Sequence, residues 1–138
     1  MTSSRTQNEE ISSTDGELTP PSDVVNSYLH AFYDGDFEAA GSLLANDFAF
    51  NGPFVQVTGK DTFLESASGL RDIVHGHTLL RQWTDGDEVS SIYEVNFVTP
   101  HGADAIVMSE WHTVSGGALR SGKVIFDAAA FRALFSPA

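Results

Sequence analysis

Two glutamates, Glu94 and Glu110, stand inside runs of strand-forming residues, EVSSIYEVNFV (88–98) and DAIVMSEWHTV (104–114). Carboxylates are uncommon in such apolar runs unless they are solvated, partnered or used. His112 follows Glu110 by two positions and so shares its face of a strand. Far upstream, Tyr28 lies on an apolar stripe with Val24, Val25, Leu29 and Phe32 at helical spacing. Carboxylate, imidazole and phenol are the groups that move protons near neutral pH or donate to a developing oxyanion. The chemistry these types and spacings could do is proton transfer on a small molecule. They imply no cofactor. His75 and His77 lack the spacing of a metal set, even with Glu110 or His112 added, so no metal is assigned.

The register of two strands decides whether the carboxylates meet. The connection TPHGA joins the two runs. A turn of odd length centred on Gly102 pairs Glu94 with Glu110, Asn96 with Met108 and Ile92 with His112. Two carboxylates ~5 Å apart at Cβ in an apolar setting cannot both ionise cheaply, so one would hold its proton near pH 7. The plainer alternative keeps each Glu ionised, solvated or paired with Arg120 or Lys123. Tyr28 likewise has a plain reading as a core tyrosine with one hydrogen bond. Trp83 and Trp111 read as packing or interface residues.

A third run, ALRSGKVIFD (118–127), follows a turn at SGG, so residues 88–127 form a three-stranded meander. The preceding segments supply helices to cover it. Thr19 and Pro20 open a first helix that Gly35 ends, and Asp36 caps a second containing Phe37, Ala40, Leu43 and Leu44. Asp47–Asn51 reads as a short strand, broken at Gly52-Pro53. A third helix from Gly59 carries Phe63, Leu64, Ala67, Leu70, Ile73 and Val74, and His77–Thr84 is a further strand. Ala128–Phe135 reads as a short closing helix. The order is α-α-β-α-β-β-β-β plus that helix, an α+β domain with a curved, mostly antiparallel sheet wrapped on helices. Residues 19–138 form this domain, and residues 1–18, polar and acidic, read as a disordered tail.

Composition narrows the partners. The 138 residues carry 7 basic and 19 acidic side chains, a net charge of −12. Only one Arg and four acids fall in residues 1–18, so the domain itself is acidic. Nucleic acid and anionic membrane surfaces are repelled by such a charge, and the scattered basic residues form no patch. No apolar run reaches the ~18 residues of a membrane span. The chain has no cysteine, which excludes disulfides and thiolate chemistry and points to the cytoplasm.

With these elements in order, the stretches SYLHAFYDGDFEAAGSLLANDFAF, VTGKDTFLES and SEWHTVSGGALRSGKVIFDAAAF resemble the nuclear transport factor 2-like superfamily. The nearest likeness is to SnoaL-like proteins and ketosteroid isomerases, over about Thr19 to Phe135. The resemblance implies a cone-shaped α+β barrel with an interior pocket for a small, largely apolar molecule. It implies an acid–base enzyme of the isomerase, dehydratase or cyclase type, without a cofactor. The oxyanion-hole tyrosine of the isomerases falls on Tyr28 and their protonated carboxylic acid on Glu110. Their general base falls on Gly52, so that residue type is missing, and Glu94 or His112 would move the proton instead. The residues that limonene epoxide hydrolase requires fall on Glu94, Asn96 and Val124 and do not match its Arg, Asp and Asp.

The resemblance also assigns the faces of the meander. It turns Glu94, Asn96, Met108, Glu110, His112, Val124 and Phe126 inward, with Phe32 from the first helix, Asn96, Met108, Val124 and Phe126 contacting substrate. The opposite face, with Tyr93, Val95, Phe97, Val107 and Trp111, is the more apolar, and alternation alone would make it the core. Both faces are covered if the outer one joins a second copy, so a homodimer is expected. The rival reading keeps the fold and drops the chemistry: a non-catalytic ligand-binding or dimerisation module.

Overall fold

The computed structural model describes residues 19–137; the expectation for the tail, residues 1–18, lies outside them. Helix α1 (Pro21–Tyr33) begins with Pro21 in its first turn, where a missing N–H costs nothing, and Asp23 sits where the helix dipole favours an anion. It buries the expected stripe of Val24, Val25, Tyr28, Leu29 and Phe32. Gly35, at φ +84°, turns the chain into α2 (Phe37–Ser42), which Asp36 caps by accepting from the Ala39 amide at 3.0 Å.

Helix α2 is shorter than its pattern suggests. The chain becomes extended at once as β1 (Leu44–Asn51), which turns Leu44 and Phe48 into the core. β2 (Gln56–Thr58) pairs back on β1, an extra edge strand that the sequence reading leaves as a loop. The expected third helix splits into α3 (Lys60–Ser66) and a 3-10 turn (Ser68–Asp72) around Ala67. Three small residues (Ser66, Ser68, Gly69) weaken the helix there, and the Ser66 hydroxyl donates to the Phe63 carbonyl.

Four long strands follow: β3 (Val74–Asp85), β4 (Glu88–Thr99), β5 (Gly102–Ser115) and β6 (Ala118–Ile125), then α4 (Ala128–Ala133). Asp127 caps α4 by accepting from the amides of Ala129 and Ala130. The sheet order is β2-β1-β6-β5-β4-β3, antiparallel except that β1 runs parallel to β6. It is a curved sheet left open at β2 and β3. The α+β class and the order of elements agree with the sequence reading. Helix α1 lies across the concave face against β3 to β6.

The register of β4 and β5 differs from expectation. The hairpin turn is the two-residue Pro100–His101, with Thr99 paired to Gly102. The Thr99 hydroxyl donates to the Leu134 carbonyl at the end of α4 and accepts from the His101 amide at 3.1 Å, which pins this short turn. An even-length turn in place of an odd one exchanges the faces of one strand relative to the other. Glu94 therefore pairs with Val107 and Glu110 with Ser91. The expected Glu94–Glu110 pair does not exist. Tyr93, Val95 and Phe97 point into the core, each at most 1% exposed, together with Met108, Glu110 and His112 from β5. On β4, then, alternation alone was the better guide; on β5 and β6 the resemblance was.

Candidate functional site

Between α1, α3 and the concave face of the sheet lies a cavity of about 190 Å³. Tyr28, Phe32 and Tyr33 reach it from α1, Phe63 from α3, and Met108, Glu110, Val124 and Phe126 from β5, β6 and the residue just beyond. Most of its wall is aromatic and aliphatic. Glu110 is its one charged lining residue, and no Lys or Arg lines it. An anionic molecule would meet Glu110 without a compensating cation, so the chemistry of the wall fits a neutral or cationic occupant.

The polar groups form one chain. Tyr93 donates to Glu110 Oε1 at 2.6 Å, and the hydroxyls of Tyr33 and Tyr93 are 2.9 Å apart. Because the single Tyr93 proton goes to the carboxylate, Tyr33 is the donor in that second bond. On the other side, His112 Nε2 lies 3.2 Å from Glu110 Oε2, at ion-pair distance but out of hydrogen-bond alignment. His112 is fully buried behind the cavity wall, with the ring edge-on to Tyr28 at 5.6 Å. Tyr28 lines the cavity, and no hydrogen bond of its hydroxyl is found among the described residues.

Burial pushes the Glu110 carboxyl up, but the adjacent imidazole of His112 and the Tyr93 hydroxyl outweigh it and hold the group below its ordinary value of 4.5. Burial, and then the Glu110 charge, push Tyr28, Tyr33 and Tyr93 up, so all three stay protonated. The site thus presents one carboxylate surrounded by donors. This corrects one expectation: Glu110 has no carboxylate partner to force a shared proton. Its surroundings favour the carboxylate over the protonated acid that the resemblance implies.

Of the other expected site residues, Phe32, Met108, Val124 and Phe126 line the cavity. Glu94 and Asn96 do not; they stand on the outer face of β4, half-buried and exposed. Neither of the cations considered as partners for Glu94 pairs with it. Lys123 instead lies over the Trp111 ring at 5.5 Å. Gly52 lines the cavity where the resemblance would put a general base, and a Cβ there would come within 3.1 Å of Phe50 and Val124. His77 packs on the Tyr33 ring at 5.4 Å. Among the described residues no group of three His, Cys, Asp or Glu could hold a metal.

Sequence reasoning missed Tyr33 and Tyr93. Tyr93 follows from the face assignment, since it stands next to Glu94 and takes the inward place once the hairpin turn is given two residues. Tyr33 gave no signal, because it sits off the apolar stripe at the end of α1 and only the fold brings it to Tyr93.

The model of the SnoaL-like domain family matches residues 25–125. Among curated proteins none matches. Many solved structures share the fold. One is an NTF2-like protein of unknown function from Cytophaga hutchinsonii, 24% identical over 82% of this chain and 95% of that one, with a TM-score of 0.69. Another is an LEH-like epoxide hydrolase from M. tuberculosis, 17% identical over 83% and 89%, TM-score 0.72. A third is a protein of ketosteroid isomerase-like fold from Catenulispora acidiphila in complex with trimethylamine, 15% identical over 76% and 85%, TM-score 0.68.

Proposed function

The chain belongs to the SnoaL-like domain family, and from that premise we propose that its cavity binds a small, largely apolar molecule and that Glu110 moves a proton on it. The observation that carries this reading is the buried Tyr33–Tyr93–Glu110 chain, with His112 behind it, ending at an apolar cavity. A carboxylate held ionised at neutral pH is a base and not an acid. In an isomerisation of a carbonyl compound, a Glu110 oxygen takes a proton from the carbon beside the carbonyl. The C–H electron pair moves into a C=C bond, and the carbonyl oxygen becomes an enolate that accepts a hydrogen bond from Tyr28. The carboxylic acid then gives the proton to the far carbon of an adjacent C=C bond; the double bond shifts into conjugation as the enolate electrons re-form the carbonyl, and the carboxylate is restored. Water exclusion by the aromatic wall strengthens both interactions. The step needs no cofactor, and we place it in the cytoplasm.

A second reading has its own support. A base held below the ordinary carboxylate range is weak, and about 190 Å³ is under the ~300–1,000 Å³ of pockets for drug-sized ligands. Both favour a pocket that holds a small molecule without transforming it. Exchange of the hydrogens beside the carbonyl of cyclohex-2-enone in D2O, followed by proton NMR, separates the two. Acceleration by the protein that falls ~10²-fold or more in Glu110→Gln supports the base. Chemical-shift changes of the Met108 methyl on adding the enone, without accelerated exchange, support the container.

We also propose that the protein is a homodimer through the outer sheet face. Its apolar residues include Ile92, Val98, Val107, Trp111 and Ile125, the last four 37–53% exposed. Tyr93, Val95 and Phe97, expected on that face, are replaced there by their strand neighbours.

A further inference from the structure

His112 is an imidazole buried completely in the sheet, with neither ring nitrogen hydrogen-bonded to the described residues, and a neighbouring glycine makes the space for it. Gly122 stands directly opposite His112 in the β5–β6 pairing. A Cβ at position 122 would lie 2.9 Å from His112 Cδ2, 3.2 Å from His112 Nε2 and 3.3 Å from Phe48 Cζ. The first of these distances is shorter than side chains tolerate. Gly122 is not among the glycines at positive φ, so its backbone conformation does not require glycine. Glycine inside a strand lowers stability and often marks a close approach by another group. Here that group is an imidazole, lying against the β6 backbone.

The edge of the ring that faces Gly122 carries Cδ2 and Nε2. The same Nε2 makes the 3.2 Å contact with Glu110 Oε2. Tyr28 bounds the ring on the helix side and Phe48 narrows the slot from β1. A methyl group at position 122 therefore cannot be accommodated by moving the ring while Nε2 keeps its place. We propose that Gly122 is a positioning residue: it admits the His112 imidazole to a slot that holds Nε2 against the Glu110 carboxylate at the cavity floor. Among the described residues the titratable groups that face Glu110 are His112 beside it on β5, Tyr93 on β4, and Tyr28 and Tyr33 on α1. This inference does not depend on whether the cavity transforms what it binds.

The test is a carbon-detected NMR titration of the Glu110 carboxyl in the full chain, assigned by its loss in Glu110→Gln. Gly122→Ala should raise the Glu110 midpoint by about one pH unit or more, as His112→Asn should, because both remove the imidazole contact that lowers it. The double variant Gly122→Ala/His112→Asn should show no shift beyond that of His112→Asn alone, since one interaction cannot be lost twice. It should also recover thermal stability relative to Gly122→Ala, because the smaller side chain removes the clash. If Gly122→Ala fails to fold, that double variant still reports, by folding and titrating like His112→Asn. A Gly122→Ala protein whose Glu110 titrates as in the parent would overturn the proposal. So would a double variant whose midpoint shift is the sum of the single ones, or one less stable than Gly122→Ala.

Discussion

At the scale of single residues, Glu110 is where burial and charge oppose each other, and its neighbours decide the outcome. A buried carboxyl alone would keep its proton; the His112 imidazole and the Tyr93 hydroxyl make ionisation the cheaper state. The sign of the linkage follows. A folded-state value below the unfolded one adds stability that is present above the unfolded value and is lost as pH falls through the folded value. On acidification from pH 5 the protein should therefore lose stability more steeply than Glu110→Gln, measured by denaturant unfolding at a series of pH values. Parallel curves for the two would contradict the lowered carboxyl. Glu110 and His112 stood out from type and spacing, and Tyr28 from the resemblance; all three meet at the cavity or its wall. The ionisation of Glu110 was not legible, because besides His112 it depends on Tyr93, which reaches it only through the β4–β5 register.

At the scale of elements, one two-residue turn decides which carboxylate reaches the cavity. Helix faces were readable, because the stripe from Val24 to Phe32 repeats at a single period and admits one inward direction. Strand faces were not fixed in the same way, because a period of two gives two equal choices and the turn chooses between them. TPHGA contains Pro, His and Gly in a row, and its composition does not say which of them belong to the strands. Engineered cysteines can test the register cleanly, since the chain has none of its own. Glu94→Cys/Val107→Cys joins directly paired residues, whose Cα separation in antiparallel strands is within disulfide range, and should oxidise readily. Glu94→Cys/Glu110→Cys puts the thiols on opposite faces and should stay reduced within one chain. The reverse result would restore the register that opposes the two glutamates.

At the scale of the whole molecule, the open sheet has one face covered by helices and one without any described cover. Val107, Trp111 and Ile125 stand on the latter with Lys123 over the Trp111 ring, an arrangement of apolar area and few charges that suits association. Sedimentation at micromolar concentration should give a dimer, and Trp111→Glu should give a monomer whose helical signal is unchanged. A monomeric parent would contradict the assembly while leaving the cavity as described. The cavity stands or falls on the charge of its one carboxylate. Carbon-detected titration of Glu110 in the intact protein measures that charge directly. The Glu110 carboxyl should titrate with a midpoint below 4.5; a midpoint above ~5 would mean a protonated acid on the cavity floor and would contradict the lowered carboxyl.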